Sequence, residues 1–526
     1  MYTANKTSDK SDINNIIADK EPEPLLEEVR WAIQSLKKGK APGHDDLPTE
    51  LILEGGEASV KIYHVLCTKV WESGSWPTSW IRSIYVPFPK KGDLKLCTNY
   101  RTIALISHAS KILLKIILKR LQVKIKEEIN ITQAGFQQGR GTRDHIFNMR
   151  NIIEKCWEYN IGLYTCFIDY CKAFDCVQHE VLWKIMIEMG FPVHIIKLIK
   201  SLYDEQASVR INGETSEWFN VGQGVRQGCI ISPHLFNIYT ENIMRQLYSD
   251  PNPSKYSSLS IGGHELPELR YADDTVLLST TPTGLEELIN DVKEHSEKQN
   301  LYLNAKKTKI MKTDKSKQCP IIKVSNDTLE VVNEFQYLGT KLTHNGNINN
   351  EIKGRLAMAF QKLKKMKKLW QGTSKSTRVK LLRTCIFPIA TYGSEAWTIS
   401  RNAEKAITSF EMKCYRNILR ISWMEKRTNE SILNELSIEK SWLLNTVKKK
   451  RLAYFGHIKR HQSLEKTILE GKMPGHRNRG RPRRRWSDDI EKDLETDIST
   501  AGRMARNRDL FRSAIMKATF QKEHAT

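Results

Sequence analysis

At 526 residues the chain is long enough for about three packed units. Its 83 Lys plus Arg against 60 Asp plus Glu leave a formal charge of +23, which suits a polyanionic partner through counterion release. A content of 40% hydrophobic and 27% charged residues excludes disorder over most of the length. No apolar run of roughly 18 residues occurs, and even Lys111–Leu121 is interrupted by Lys111, Lys115 and Lys119, which argues against a membrane partner.

The N-terminus, with Asn5, Lys6, Asp9 and Lys10, lacks the apolar core of a signal peptide, so the expected location is nucleus and cytoplasm. The ten cysteines are then thiols. Cys166, Cys171 and Cys176 fall five apart and no C-x-x-C pair occurs, which disfavours a zinc site. Residues 1–22 are polar and run into Glu21-Pro22-Glu23-Pro24, the composition of a linker. Leu26, Val29, Ile33 and Leu36 predict a helix over Leu25–Lys38, followed by a loop from Lys40 to Asp46. Trp80–Phe88 alternates as a strand does, with a turn at Lys90–Asp93. Ile112, Leu113, Ile116, Ile117 and Leu121 mark a core helix over Ser110–Ile129.

Leu163–Asp169 reads as a strand and Val181–Tyr203 as a helix; Ser232-Pro233 opens another, with serine as its cap. Tyr271–Leu278 reads as a hairpin carrying carboxylates at its turn, and Leu301–Leu303 as strand-like. Beyond residue 346 the pattern is helical and basic, as at Lys362, Lys364, Lys365, Lys367 and Lys368. Residues 471–486 carry Lys472 and six arginines without one acid. The fold class expected from this alternation is α+β.

Two short segments carry the chemistry: Phe167-Ile168-Asp169 at a strand end and Tyr271-Ala272-Asp273-Asp274 at a hairpin turn. A double-aspartate turn alone is usually a solvated turn. Placed beside Phe167, Ile168, Val276, Leu277 and Leu278, however, gathered carboxylates are costly unless a hard cation joins them. Two magnesium ions fit, and they serve phosphoryl transfer: one lowers the pKa of an attacking hydroxyl, the other steadies a triphosphate. Asp169 and Asp273 are the candidates to bridge the metals, and Asp274 to shape the site. Gly222–Cys229, running into Ser232–Asn237, supplies a glycine-rich loop whose backbone can approach a nucleotide closely.

In this order the motifs resemble the reverse transcriptases of LINE-type non-LTR retrotransposons, most nearly the RTE or BovB-like group. The resemblance spans nearly the whole chain. It includes Ala41-Pro42-Gly43, Asn99-Tyr100-Arg101, Gln133–Phe136, Ala173-Phe174-Asp175, Leu303-Asn304 with Lys307-Thr308-Lys309, Tyr337-Leu338-Gly339, and Gly480-Arg481-Pro482 with Trp486. It implies a right-hand polymerase with an N-terminal helical extension (23–68, after the 1–22 remnant), fingers and palm (69–345), a helical thumb and connection (346–470) and a basic helical C-terminal segment (471–526).

The resemblance also implies RNA-directed DNA synthesis with Mg2+, Mn2+ being able to substitute. The partners are then an RNA template, a DNA primer or nicked target DNA, and dNTPs. Asp169, Asp273 and Asp274 become the catalytic metal ligands. Phe174, five residues after Asp169, becomes the aromatic gate that rejects a ribose 2′-hydroxyl, against the alternative of a core phenylalanine. Gln227 and Gly228 contact the incoming nucleotide, while Arg226 is open to reading as a surface cation. Lys90 and Arg101 fold over the triphosphate. Lys307 protonates pyrophosphate or is simply solvated. Arg477, Arg479, Arg481, Arg483, Arg484 and Arg485 bind nucleic acid, or form a nuclear-import signal. His457 and His461, four apart and without a third ligand, read as ordinary residues.

Relatives of this kind carry an N-terminal endonuclease, and the expectation here is a chain without one. Asp46 stands where the family tends to have glycine, so a left-handed turn is expected to be strained there. Two other functions compete: a catalytically decayed nucleic-acid-binding remnant, and a maturase of group II intron type, which the C-terminal segment argues against.

Overall fold

The computed structural model of the protein describes residues 20–90, 92–204, 206–249, 252–313, 321–324, 327–438, 441–477, 480 and 482–520. In chain order the elements that matter for the site are α1 (Leu26–Gln34), β1 (Ser83–Pro89), β2 (Tyr100–Leu105), α2 (His108–Glu128), α3 (Thr142–Tyr159), β3 (Leu163–Ile168), α4 (His179–Glu188), α5 (Val193–Tyr203), β4 (Gln206–Ile211) and α6 (Ser232–Tyr248). They continue with β5 (Glu268–Tyr271), β6 (Asp274–Ser279), β7 (Lys309–Thr313), α7 (Asn349–Lys365), α8 (Trp442–Arg460), α9 (Leu464–Glu470), α10 (Trp486–Leu494), α11 (Ile498–Arg506) and α12 (Arg508–Thr519). Helices and strands alternate within one chain, the mixed α+β class read from the sequence.

The chain groups into two compact units, where its length suggested three. The first takes Met1–Phe136, Asp169–Pro253 and Ile289–Asn304; the second takes Gln137–Ile168, Ser254–Leu288 and Ala305–Thr526. The C-terminal helices form no third unit because their apolar faces share a core with α3 and the sheet of the second unit.

In the first unit β1 pairs antiparallel with β2 and parallel with β4. Helix α2 buries Ile112, Leu113, Leu114, Ile116, Ile117 and Leu121, the positions its spacing marks. Three local expectations shift. Trp80 lies in a helical turn, Thr78–Ile81, so β1 begins three residues later than the alternation suggests. The helix expected over Val181–Tyr203 is two, because the chain leaves α4 through Gly190 at φ 72° and restarts at Pro192, the N-cap of α5. Ser232 does not cap α6: Ile231 does, and the Ser232 hydroxyl lies 3.0 Å from that of Tyr203. Asp46 sits at φ 48°, the left-handed conformation expected for it. Of the Lys90–Asp93 turn, Lys91 lies outside the described residues.

In the second unit β3 is the inner strand, flanked antiparallel by β6 and β7, with β5 at one edge beside β6. Both faces of β3 are covered, which is why Leu163, Thr165, Cys166, Phe167 and Ile168 run nearly apolar. Helix α3 packs this sheet through Phe147, Ile152 and Ile153 and meets α9. Phe147 is met edge-on by Tyr454 at 5.2 Å and Trp486 at 4.9 Å. Each such ring removes enough apolar surface from water to contribute about 1.5–3 kcal/mol. A separate core, with Leu356, Leu363, Trp370, Phe387 and Tyr415, holds α7, the helices between it and α8, and the start of α8. Among the described residues no helix is long and apolar enough to cross a membrane.

Candidate active site

The double-aspartate turn is a tight hairpin as its alternation predicts. Tyr271 pairs with Asp274 and encloses Ala272 and Asp273. Ala272 is buried at φ 58°, a conformation a Cβ resists, while Asp273 and Asp274 are exposed. Ile168, the last residue of β3, pairs with Thr275. Strand β3 therefore delivers the chain to Asp169 from the end of the sheet at which the turn sits.

All three candidates are carboxylates, the hard oxygen donors that magnesium prefers. Among the described residues no three His, Cys, Asp or Glu side chains form a ready metal-holding group. The donor set still fits, because Mg2+ is usually held by one or two carboxylates together with substrate phosphates and water rather than by an all-protein cage.

In the first unit, Asp169 is fixed through its backbone. Its carbonyl accepts from the Asn304 amide at 2.8 Å, and the Cys171 amide donates to the Tyr302 carbonyl at 2.8 Å. Tyr170 bridges Leu303 between them. Leu301–Leu303 is thus no strand but a brace with one bridge residue, and Asn304 gains a task that local sequence does not reveal. Phe174 lies half-buried and flat against Phe236, centroids 4.4 Å apart, while its carbonyl accepts from the Val225 amide at 2.8 Å. The ring is backed on one face, which leaves it little freedom to yield.

The glycine-rich loop is stitched to the edge of β2, where the Ala104 amide donates to the Gln227 carbonyl at 2.7 Å. Gly228 follows at φ 122°, and a Cβ there would stand 2.7 Å from the Ala104 oxygen, so no side chain fits without displacing the strand. Gln227 Nε2 reaches Asp175 Oδ1 at 3.5 Å. Burial raises the pKa of Asp175, with Lys172, Lys90, Gln227 and Arg101 pulling it back. Asp175 is therefore within electrostatic reach of the two exposed cations Lys90 and Arg101, and the sequence alone gave it no role. Arg226 is no surface cation. It is 2% exposed and donates to the carbonyls of Ile81 (3.1 Å) and Leu202 (2.5 Å), with its guanidinium 5.4 Å from the centre of the Tyr203 ring.

Lys307 is exposed in the second unit, just ahead of β7. Arg479 and Arg481 lie outside the described residues. The other four arginines of the basic segment line a cavity of about 670 Å³ with Arg150, Glu154, Trp157 and Trp486. Arg477 pairs with Glu158 at 2.8 Å, Arg485 with Asp488 at 2.8 Å, and Arg484 with Asp489. Arg483 covers the Trp157 ring at 4.3 Å and donates to the Asn345 carbonyl. His457 and His461 stand 4.5 Å apart, ring to ring, and belong to no metal group of three among the described residues.

The reverse transcriptase (RNA-dependent DNA polymerase) family matches residues 88–342, the stretch that holds β1 to β7 apart from the first residues of β1. The chain carries a reverse transcriptase domain. Beyond that domain, the RNA-directed DNA polymerase from mobile element jockey of Drosophila melanogaster is 24% identical over 418 residues, covering 76% of this chain and 44% of that protein. The Pol polyprotein from the type-1 retrotransposable element R2 of Popillia japonica is 28% identical over 325 residues, covering 60% and 44%. The chain thus spans less than half the length of both relatives, and the likeness to non-LTR retrotransposon enzymes drawn from its motifs holds. A solved telomerase from Candida albicans, bound to a fragment of telomeric RNA, is 10% identical and covers 90% of this chain and 67% of that one, with a TM-score of 0.41. The reverse transcriptase family works on nucleic acids with divalent metal ions.

Proposed function

We propose that the chain is an RNA-directed DNA polymerase of a non-LTR retrotransposon, which extends the 3′-hydroxyl of a DNA primer or nicked target on an RNA template. The observation that carries this is the exposed aspartate turn at one end of a sheet whose inner strand leads directly into Asp169, within a reverse transcriptase domain. Asp169 and Asp273 would hold two Mg2+ ions, or Mn2+ in their place, with Asp274 shaping the turn. When bound, such ions lower the pKa of the primer hydroxyl and balance the triphosphate charge.

The remaining work falls to the chain itself. Arg101 and Lys90 draw the triphosphate in and offset charge as pyrophosphate leaves. The Gln227–Gly228 backbone, free of a side chain at Gly228, lies close along the nucleotide. Phe174, held by Phe236, excludes a 2′-hydroxyl by volume. Lys307 gives a proton to the departing pyrophosphate. Residues 69–345 act as fingers and palm, 346–470 as the thumb, and the arginines of 471–526 grip nucleic acid in nucleus and cytoplasm.

Primer extension tests this: the purified chain, oligo-dT on poly-rA, dTTP and Mg2+, beside Asp273→Asn and an EDTA control. Synthesis that is lost in both controls, by about 10³-fold in the variant, is expected. Tight, salt-sensitive RNA binding without synthesis, unaffected by Asp273→Asn, would instead identify a binding remnant.

A further inference from the structure

The second unit contains a buried polar relay that ends on the strand entering the aspartate turn. His145, in the first turns of α3, is fully buried, an unusual place for an imidazole among Ile146, Phe147 and Met149. Its Nε2 lies 2.7 Å from the carbonyl oxygen of Arg270 in β5. A carbonyl can only accept, so Nε2 carries a hydrogen. On the ring's other edge Asn148 Nδ2 stands 3.3 Å from Nδ1. An amide nitrogen can only donate, so Nδ1 is bare, and the ring is neutral in one tautomer.

The orientation of Asn148 is itself fixed. The same Nδ2 donates to Glu465 Oε1 at 3.2 Å, and that oxygen also accepts from Arg140 Nη2 at 3.1 Å. Burial works to raise the Glu465 pKa, but Arg140, the local backbone, Ser463 and Asn148 outweigh it and hold the carboxylate below its usual range. Beside the relay, Tyr454 of α8 donates to Asp144 Oδ1 at 2.7 Å, and Asp144 caps the first turn of α3.

The place where the relay ends gives it meaning. Strand β5 is the edge strand, and an edge offers backbone groups that no neighbouring strand can take up. His145 holds one of them, three residues before Asp273, and does so on the short arm of a hairpin whose turn contains Ala272 at positive φ. A strained two-residue turn points its carboxylates correctly only while its arms are held. An imidazole with a fixed tautomer is a rigid donor for that task, and a carboxylate on α9 holds the amide that keeps its Nδ1 an acceptor.

We propose that His145 is a positioning residue for the metal-binding turn, and that Glu465 of the C-terminal helices sets its geometry through Asn148. This deepens the polymerase function proposed above and rests on it for the kinetic half of the test. The full chain is compared with His145→Leu, which removes the donor; His145→Gln, whose amide reaches as far as Nε2; and Glu465→Gln, which keeps the shape without the charge. Two measurements are made on each: kcat, dTTP KM and half-saturating Mg2+ in primer extension, and amide hydrogen exchange across residues 268–276 against 309–313.

The expected result for His145→Leu is a fall in kcat of roughly 10²-fold, the scale of an ångström's misplacement. Half-saturating Mg2+ rises several-fold, while dTTP KM and RNA affinity stay within about twofold. Exchange at 268–276 quickens by about tenfold and that at 309–313 does not. His145→Gln restores both readouts to within about threefold of the parent, and Glu465→Gln falls between. Unchanged exchange at 268–276 in His145→Leu overturns the proposal. So does equal damage in the Leu and Gln variants that merely follows a lowered Tm. A parent chain that makes no DNA but shows the local exchange difference refutes the polymerase function and leaves the positioning role standing.

Discussion

Two groups of cations stand out in this chain, and they are held in opposite ways. Lys90 and Arg101 are exposed on and beside the β1–β2 pair, and the carboxylate that feels both is the half-buried Asp175. The arginines of the C-terminal segment make the denser cluster, yet Arg477, Arg484 and Arg485 are each matched to a carboxylate and Arg483 lies on an indole. A dense run of like charge therefore says little about how much of it a ligand can use. Sparse cations over a partly buried acid are better placed to gain a triphosphate than arginines already balanced by Glu158, Asp488 and Asp489.

Three measurements sharpen the contrast. The largest expected effect is at the sparse site: Arg101→Ala lowers kcat/KM for dTTP by about 10²-fold in steady-state extension with little change in RNA affinity. If Arg477→Ala were the more damaging of the two, the contrast would be reversed. Next comes Glu154, on the wall of the arginine-lined cavity. Burial, with help from Asp488 and Glu158, pushes its pKa up to about 8, although the Trp486 amide and the Thr398 hydroxyl draw it down. An acid raised in the fold gives stability that is whole below its ordinary pKa and is lost as pH climbs towards about 8. The Tm of the parent chain is accordingly lower at pH 9 than at pH 6, and Glu154→Gln flattens that difference; parallel curves for the two would mean that the carboxyl is ionised throughout.

The smallest effects separate the arginines from one another. Arg477, whose side chain is 58% exposed, is expected to bind phosphate, so that Arg477→Ala weakens RNA two- to threefold and reduces the salt slope by less than about one. Arg484→Ala costs Tm instead, since it strips a partner from the fully buried Asp489, and leaves RNA affinity unchanged. Filter binding across a salt series, with melting curves, distinguishes the two.

What the sequence made legible was local. The alternation around Tyr271–Leu278 located the aspartate hairpin, and the spacing of apolar residues located α2, because period alone determines which face is buried. Phe174 carried a readable signal only through its resemblance, and the ring behind it, Phe236, comes from α6, with α4 and α5 in between. Arg226 looked like a surface cation because the carbonyls that bury it, those of Ile81 and Leu202, arrive from other elements. The same holds for the brace of residues 302–304 under Asp169 and for the partners of Arg477–Arg485. Charge and period are properties of a stretch of chain; whether a charge is spent depends on what distant segments bring to it.

The dependence of α3 on α8, α9 and α10 also has a cost in time. His145 and Phe147 are synthesised well before Tyr454, Glu465 and Trp486, which cover and orient them. At roughly 5–20 residues per second a ribosome takes on the order of tens of seconds to cross that interval. Throughout it the nascent chain carries the apolar face of α3 without its lasting cover, so the burden on chaperones is set by the order of synthesis as well as by the finished fold.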